Sequence, residues 1–253
     1  MLFRSPGSAK NVLLRGIGPG LTSLGVAGAL ADPQIQLFNS TAPTALATND
    51  NWGGGAALSV LFASVGAFPL DPAGRDAALQ QSLPVGAYTA QASAATGANG
   101  VTLVELYDAD SGSSPTLSRL TNVSARAQIG TGGDILIAGF TLSGNVPRTV
   151  LIRGIGPALT AFGVAGALAD PQLEVYQGAT LLYANDNWSA SATSAATTAL
   201  AATFTRVGAF ALPASATRDA VLLITLAPGS YTAQVSGVNG TTGVALVEVY
   251  ELP

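Results

Sequence analysis

Two glycine-rich stretches are the first candidates for chemistry. "RGIGPGLTSLGVAGALADPQ" (15–34) and "RGIGPALTAFGVAGALADPQ" (153–172) each follow an apolar run. In that setting successive backbone amides can cradle a phosphate. The pattern departs from that use. A dinucleotide-binding turn needs a third glycine where Leu21 stands, and Leu159 repeats the departure. Pro19 and Pro157 each remove a backbone donor. The expected role is therefore a structural turn leaving a strand.

The other reactive side chains are few and recur in pairs: Arg15/Arg153, Asp32/Asp170, Asp50/Asp186, Arg75/Arg218, Asp76/Asp219 and Glu105/Glu248. A glycosidase would need two carboxylates about 5–10 Å apart in a cleft. Glu248 instead sits in the middle of an apolar strand, and Arg153 ends another. The expectation is a partly buried Arg–Glu pair that holds strands in register, Arg15 with Glu105 and Arg153 with Glu248. Burying both partners avoids an unmatched charge, which would cost several kcal/mol. "NDNW" occurs at 49–52 and 185–188 and gathers oxygen ligands of the kind calcium prefers. One carboxylate per cluster is few for calcium, so the candidate metal sites are Asp50 with Asp32 and Asp186 with Asp170. The competing reading is an Asx-type turn, with Trp52 and Trp188 anchoring the loop to the core. Trp52, Trp188, Tyr183 and Tyr176 are also the candidates for stacking on a sugar. No other cofactor is expected.

Composition narrows the classes further. The chain has 253 residues, 48% hydrophobic and only 9% charged, against roughly 25% charged in an average soluble domain. Its net charge is −4 and Lys10 is its one lysine, which argues against nucleic acid and anionic membranes as partners. There is no cysteine and no histidine, so thiolate and imidazole chemistry and the usual zinc sites are excluded. No apolar run reaches the roughly 18 residues of a membrane span. A low-charge chain rich in Thr, Ser and Gly and free of cysteine has the composition of bacterial surface and secreted proteins.

The elements that position these residues are duplicated. "VGAF" (65–68, 207–210), "RDA" (75–77, 218–220), "GAYTAQ"/"GSYTAQ" (86–91, 229–234) and "LVELY"/"LVEVY" (103–107, 246–250) repeat the order of the opening motif. A period near 140 residues means tandem domains. We expect a first repeat at 6–110, a linker at 111–118 and a second, complete repeat at 119–253. The second repeat carries an additional strand pair, Asn122–Ile129 and Asp134–Ser143, joined by "GTGG". The first lacks it, either because a strand pair comes from another chain or, the reading favoured here, because its N-terminus is truncated, with Met1–Ser5 extraneous. Short runs rich in β-branched and aromatic residues, bounded by Gly, Pro, Asn or Asp, predict the strands. These are "TVLIRG" (149–154), "LEVYQG" (173–178), "AVLLITL" (220–226), "SYTAQVSG" (230–237) and "VALVEVY" (244–250). The expected fold is all-β: two tandem antiparallel, jelly-roll-like β-sandwiches with one or two short helical turns each. "PALTAFG" (157–163) is one such turn and 191–204 a second helical candidate.

"VLIRGIGPALTAFGVAGALADPQLEVY", "NDNW" and "LAPGSYTAQVSG…GVALVEVYE" together resemble a repeat of large secreted proteins of environmental bacteria. The hairpin "LAPGSYTAQVSG" is also similar to part of the bacterial pre-peptidase C-terminal domains, non-catalytic sandwiches attached to secreted hydrolases. The resemblance implies an extracellular or cell-surface module that is not an enzyme, and it brings no catalytic residues. Two functions follow as expectations. One is a structural repeat that self-associates into a filament or matrix or serves as a spacer. The other is an accessory module of a secreted hydrolase that binds polysaccharide or protein.

Overall fold

The computed structural model describes residues 2–4, 9–39, 43–110, 119–189, 194–213 and 218–252. The chain divides into two compact units, Met1–Leu120 and Thr121–Pro253. The expected linker at 111–118 lies outside the described residues. Each unit is an antiparallel β-sandwich, so the all-β fold read from the strand pattern is the fold observed.

The first unit contains β1 (Leu2–Arg4), β2 (Lys10–Ile17), β3 (Pro33–Asn39), β4 (Ala45–Asn49), β5 (Ala77–Leu83), β6 (Gly86–Ala94) and β7 (Leu103–Asp108). One of its sheets runs β5-β2-β7, and the other runs β1-β6-β3-β4. In the second unit the strands are β8 (Arg119–Ile129), β9 (Leu136–Leu142), β10 (Arg148–Ile155), β11 (Pro171–Gln177), β12 (Thr180–Asn185), β13 (Ala220–Leu226), β14 (Gly229–Gly237) and β15 (Gly243–Glu251). They form the sheets β13-β10-β15-β8 and β12-β11-β14-β9.

The burial patterns follow from two layers of cover. On β14, Tyr231, Ala233 and Val235 are buried and alternate with half-buried Thr232, Gln234 and Ser236, as a strand with one wet face requires. β10 is instead buried continuously from Val150 to Ile155. Val150 and Ile152 pack between the sheets with Leu173, Val175, Val235 and Val247. Leu151 and Ile155 point the other way, into a second cluster with Trp188, Phe204, Val207 and Tyr250. Helix α3 (Ser194–Val207) supplies Phe204 and Val207 to that outer layer. The first unit repeats the arrangement. Val12 and Leu14 face Ile35 and Leu37 between its sheets. Leu13 and Ile17 pack outward against Trp52 and against Phe62 of helix α2 (Ala56–Ser64).

The glycine-rich stretches turn out of β2 and β10. Pro157 opens a 3-10 turn that runs to Phe162, and Gly163 ends it in the left-handed region at φ 74°, the asymmetry expected of Pro and Gly at helix ends. In the first unit the turn is α1 (Pro19–Thr22).

Three features differ from the sequence reading. β8 and β9 do not pair with each other: β8 adds to β15 and β9 adds to β14, so "GTGG" carries the chain from one sheet to the other. Leu2 and Phe3 pair with Ala87 and Gly86 of β6, which places β1 within the first unit and ahead of the expected boundary at residue 6. β4 and β12 were not anticipated. Both are sheet edges: β4 alternates between half-buried and exposed residues, and in β12 Thr180–Ala184 is exposed throughout.

A glycine contrast tests the packing of the turn. A Cβ on Gly156 would sit 2.1 Å from the Leu168 carbonyl oxygen, whereas one on Gly163 would meet nothing within 4 Å. Gly156→Ala should therefore destabilise by about 3 kcal/mol. Gly163→Ala should lose about 1 kcal/mol, the cost of a left-handed alanine. Urea unfolding of the two variants checks the order.

Candidate functional site

In both units the recurring residues converge on one place, where the glycine-rich turn leaves the inner strand. β2 and β10 alternate their side chains, so Arg15 and Arg153 share the outward face with Leu13/Ile17 and Leu151/Ile155. Both arginines are fully buried. Arg153 Nε donates to Glu248 Oε2 at 2.8 Å, and Nη2 donates to the same oxygen. Nη1 donates to the Phe210 carbonyl at 2.7 Å. The guanidinium carbon lies 4.2 Å from the Phe210 ring centroid and 5.0 Å from that of Phe204, distances at which a desolvated cation–π contact is strong. Tyr250 donates its hydroxyl to Glu248 Oε1 at 2.8 Å. Arg15 repeats this set with Glu105 Oε2 (2.7 Å), the Phe68 carbonyl (2.6 Å) and the rings of Phe62 and Phe68. Tyr107 donates to Glu105 at 2.9 Å. Burial pushes the Tyr107 hydroxyl up to about 12, and the hydrogen bond to Glu105 adds to the shift. Burial raises Tyr250 as well. A phenol held protonated beside an already paired carboxylate is a fixed donor, suited to structure rather than to proton transfer.

The second centre is the aspartate of "RDA". Asp76 Oδ1 accepts the Gly18 amide at 2.8 Å and the Gly20 amide at 3.1 Å. Asp219 Oδ1 accepts the Gly156 amide at 2.7 Å, and Oδ2 accepts that of Ala158 at 3.3 Å. The amides that a phosphate would have used are thus taken by the protein's own carboxylate. The same two aspartates accept the Trp52 and Trp188 amides at their backbone carbonyls, at 3.0 and 2.8 Å. Sequence reasoning noted the recurrence of Asp76 and Asp219 without assigning them a role. The available signal was a glycine turn in want of an acceptor and an aspartate placed directly before a strand.

The remaining candidates fall around this hub. Asn49 Oδ1 accepts the Ala78 amide and Asn185 Oδ1 accepts that of Val221, each at 2.9 Å. The asparagines of "NDNW" thereby tie their loop to the next strand, while Asp50 and Asp186 are exposed. Asp32 pairs with Arg75 at 2.7 Å and Asp170 with Arg218 at 3.1 Å. Asp32 and Asp170, the carboxylates expected to join Asp50 and Asp186, are thus each engaged by an arginine. Among the described residues no group of three or more acidic, histidine or cysteine side chains could hold a metal ion. Trp52 and Trp188 are buried against Phe62 and Phe204, in the anchoring role and out of reach of a sugar. Tyr183 is exposed on β12 and Tyr176 donates to Glu174.

Two measurements test these roles. Glu248→Ala strands a buried cation and should cost about 3–5 kcal/mol. Glu105→Ala should cost less, because that side chain is 16% exposed against 7% for Glu248. Burial also pushes the Asp219 carboxyl up to about 6, with the Gly156 and Ala158 amides opposing the shift. An unfolded aspartate titrates near about 3.9. This group therefore lowers folding stability as pH rises from about 4 through about 6, by at most about 3 kcal/mol. The chain has no histidine to obscure that window. Asp219→Asn, which keeps an acceptor oxygen, should remove this slope from urea unfolding curves; parallel pH profiles would contradict the assignment.

No protein-family model and no curated protein matches the chain. Solved structures with some likeness include a "putative secreted protein" from Eubacterium rectale (10% identity, 99% of this chain and 68% of that one, TM-score 0.23). The major capsid protein P2 of bacteriophage PM2 gives 8% identity, 99% and 91% coverage and a TM-score of 0.20. PNGF-II gives 12% identity, 99% and 57% coverage and a TM-score of 0.24. Such low scores carry no argument about what this chain does.

Proposed function

We propose that this chain is a non-enzymatic structural module of an extracellular or cell-surface bacterial protein, a tandem sandwich that self-associates into a filament or matrix or serves as a spacer. One observation carries the reading. In both units the arginine of the inner strand and the aspartate of "RDA" are held by equivalent internal partners. Arg15 and Arg153 are held by glutamate and aromatic rings, and Asp76 and Asp219 by the turn amides. A catalytic carboxylate needs access to substrate, and the two aspartates have none.

The surface supports assembly. With 9% charged residues, the electrostatic barrier to association is low. β12 presents Leu181, Leu182 and Tyr183 to solvent along a sheet edge, and an exposed apolar edge strand pairs readily with another chain. No helix among the described residues is long and apolar enough to cross a membrane. The sugar-binding alternative loses its two best stacking groups, since both tryptophans are buried.

Negative-stain images of the purified chain, with a glycan array run in parallel, separate the two readings. Ordered fibres or sheets without glycan binding are expected. Saturable binding of one glycan by a monodisperse monomer would overturn the proposal in favour of an accessory module.

A further inference from the structure

The two units contain the same strand in different surroundings. β15 is hydrogen-bonded on both sides: Glu248 lies opposite Arg153 of β10 and opposite Ser124 of β8. β7 pairs with β2 in the same register, Glu105 opposite Arg15. It is nevertheless the edge of its sheet, with no strand on its other side among the described residues. The consequences are local and consistent. Val104 is 43% exposed, whereas Val247, its equivalent, is 0% exposed. Val101 and Leu103 are also exposed on this strand and its approach. Among the described residues Arg15 Nη2 has no hydrogen-bond partner, whereas Arg153 Nη2 reaches Glu248. On the facing sheet, β9 makes seven register pairs with β14 and buries Leu136 and Ala138. β1 makes two pairs with β6.

We propose that the outer edge of β7 is a docking site for a strand of the β8 type carried by another repeat of this fold. The second unit shows the chemistry of the occupant. β8 lies along Gly243–Tyr250 with Asn122–Ile129, placing Ser124 opposite Glu248 and Ala125 opposite Val247. Ser124 is a small residue beside Glu248, and on the other face Ala125, Ala127 and Ile129 pack into the inter-sheet core. The same register on β7 puts a serine-type residue opposite Glu105 and an alanine-type residue opposite Val104. Main-chain bonds to the open edge supply affinity, and the small alternate side chains supply specificity. The biological sense of this site rests on the structural-module reading above, but the site can be tested apart from it.

A synthetic peptide spanning 119–142 is added to the full chain and amide exchange is followed by mass spectrometry. Slower exchange over 103–108, with 243–251 unchanged, is expected. Val104→Asp should weaken binding at least tenfold, and a scrambled peptide should have no effect. In a second arm the same segment is fused ahead of Met1 through a flexible linker, which should protect 103–108 and raise the melting point of the first unit. No protection of β7 in either arm overturns the proposal, as does equal protection by the scrambled peptide. Protection that grows with chain concentration in the absence of peptide would assign the edge to a second β7 instead. Fibre formation is read separately, so failure here leaves the module reading standing, and the converse also holds.

Discussion

A buried carboxylate fills the cradle made by a glycine-rich turn, and much of each unit is arranged around that contact. Asp76 and Asp219 are wholly buried, an expensive position for a carboxylate unless donors surround it. The turn after β2 or β10 supplies those donors as backbone amides. The exchange is reciprocal. The turn cannot satisfy these amides within its own short helical segment, and the aspartate cannot remain buried without them. Through their backbone carbonyls the same two residues hold the tryptophan amides. Turn, loop and strand are thereby joined at one residue.

The Arg–Glu pairs extend this logic to the outer face of the inner sheet. A strand covered on both faces would ordinarily be apolar throughout, and the buried run Val150–Ile155 of β10 is so except at Arg153. Its charge is tolerated because it is matched by Glu248, capped by a backbone carbonyl and flanked by two aromatic rings. Replacing either partner leaves an uncompensated charge in a closed layer. The arginine also joins elements distant in sequence: Phe204 comes from α3, Phe210 from the segment after it and Glu248 from β15. The pair holds the outer cover onto the sheet as well as holding strand against strand.

Much of this was legible in the residues. The alternation of Tyr231, Ala233 and Val235 marked β14, and the run "TVLIRG" marked β10. Pro157 and Gly163 marked the ends of the crossover turn, and Glu248 within an apolar strand implied a partner, which is Arg153. Other features depend on contacts that one strand cannot encode. "TLLYAN" gave no period because β12 is exposed on both faces from Thr180 to Ala184. "GTGG" has the composition of a hairpin turn, yet the strands on either side find better partners in opposite sheets. Asp76 and Asp219 stand directly before a strand, but nothing near them names their donors, which lie about 60 positions away in sequence. The composition of "NDNW" does not show that its asparagines form the tie to the next strand.

The account stands on the claim that the glycine-rich cradle is already filled. Amide exchange measured by NMR at Gly18, Gly20, Gly156 and Ala158, with and without added phosphate, tests it most directly. The account predicts exchange as slow as that of the core strands, no response to phosphate, and loss of protection at Gly156 and Ala158 in Asp219→Ala. Rapid exchange that slows when phosphate is added would show an open anion site and contradict it.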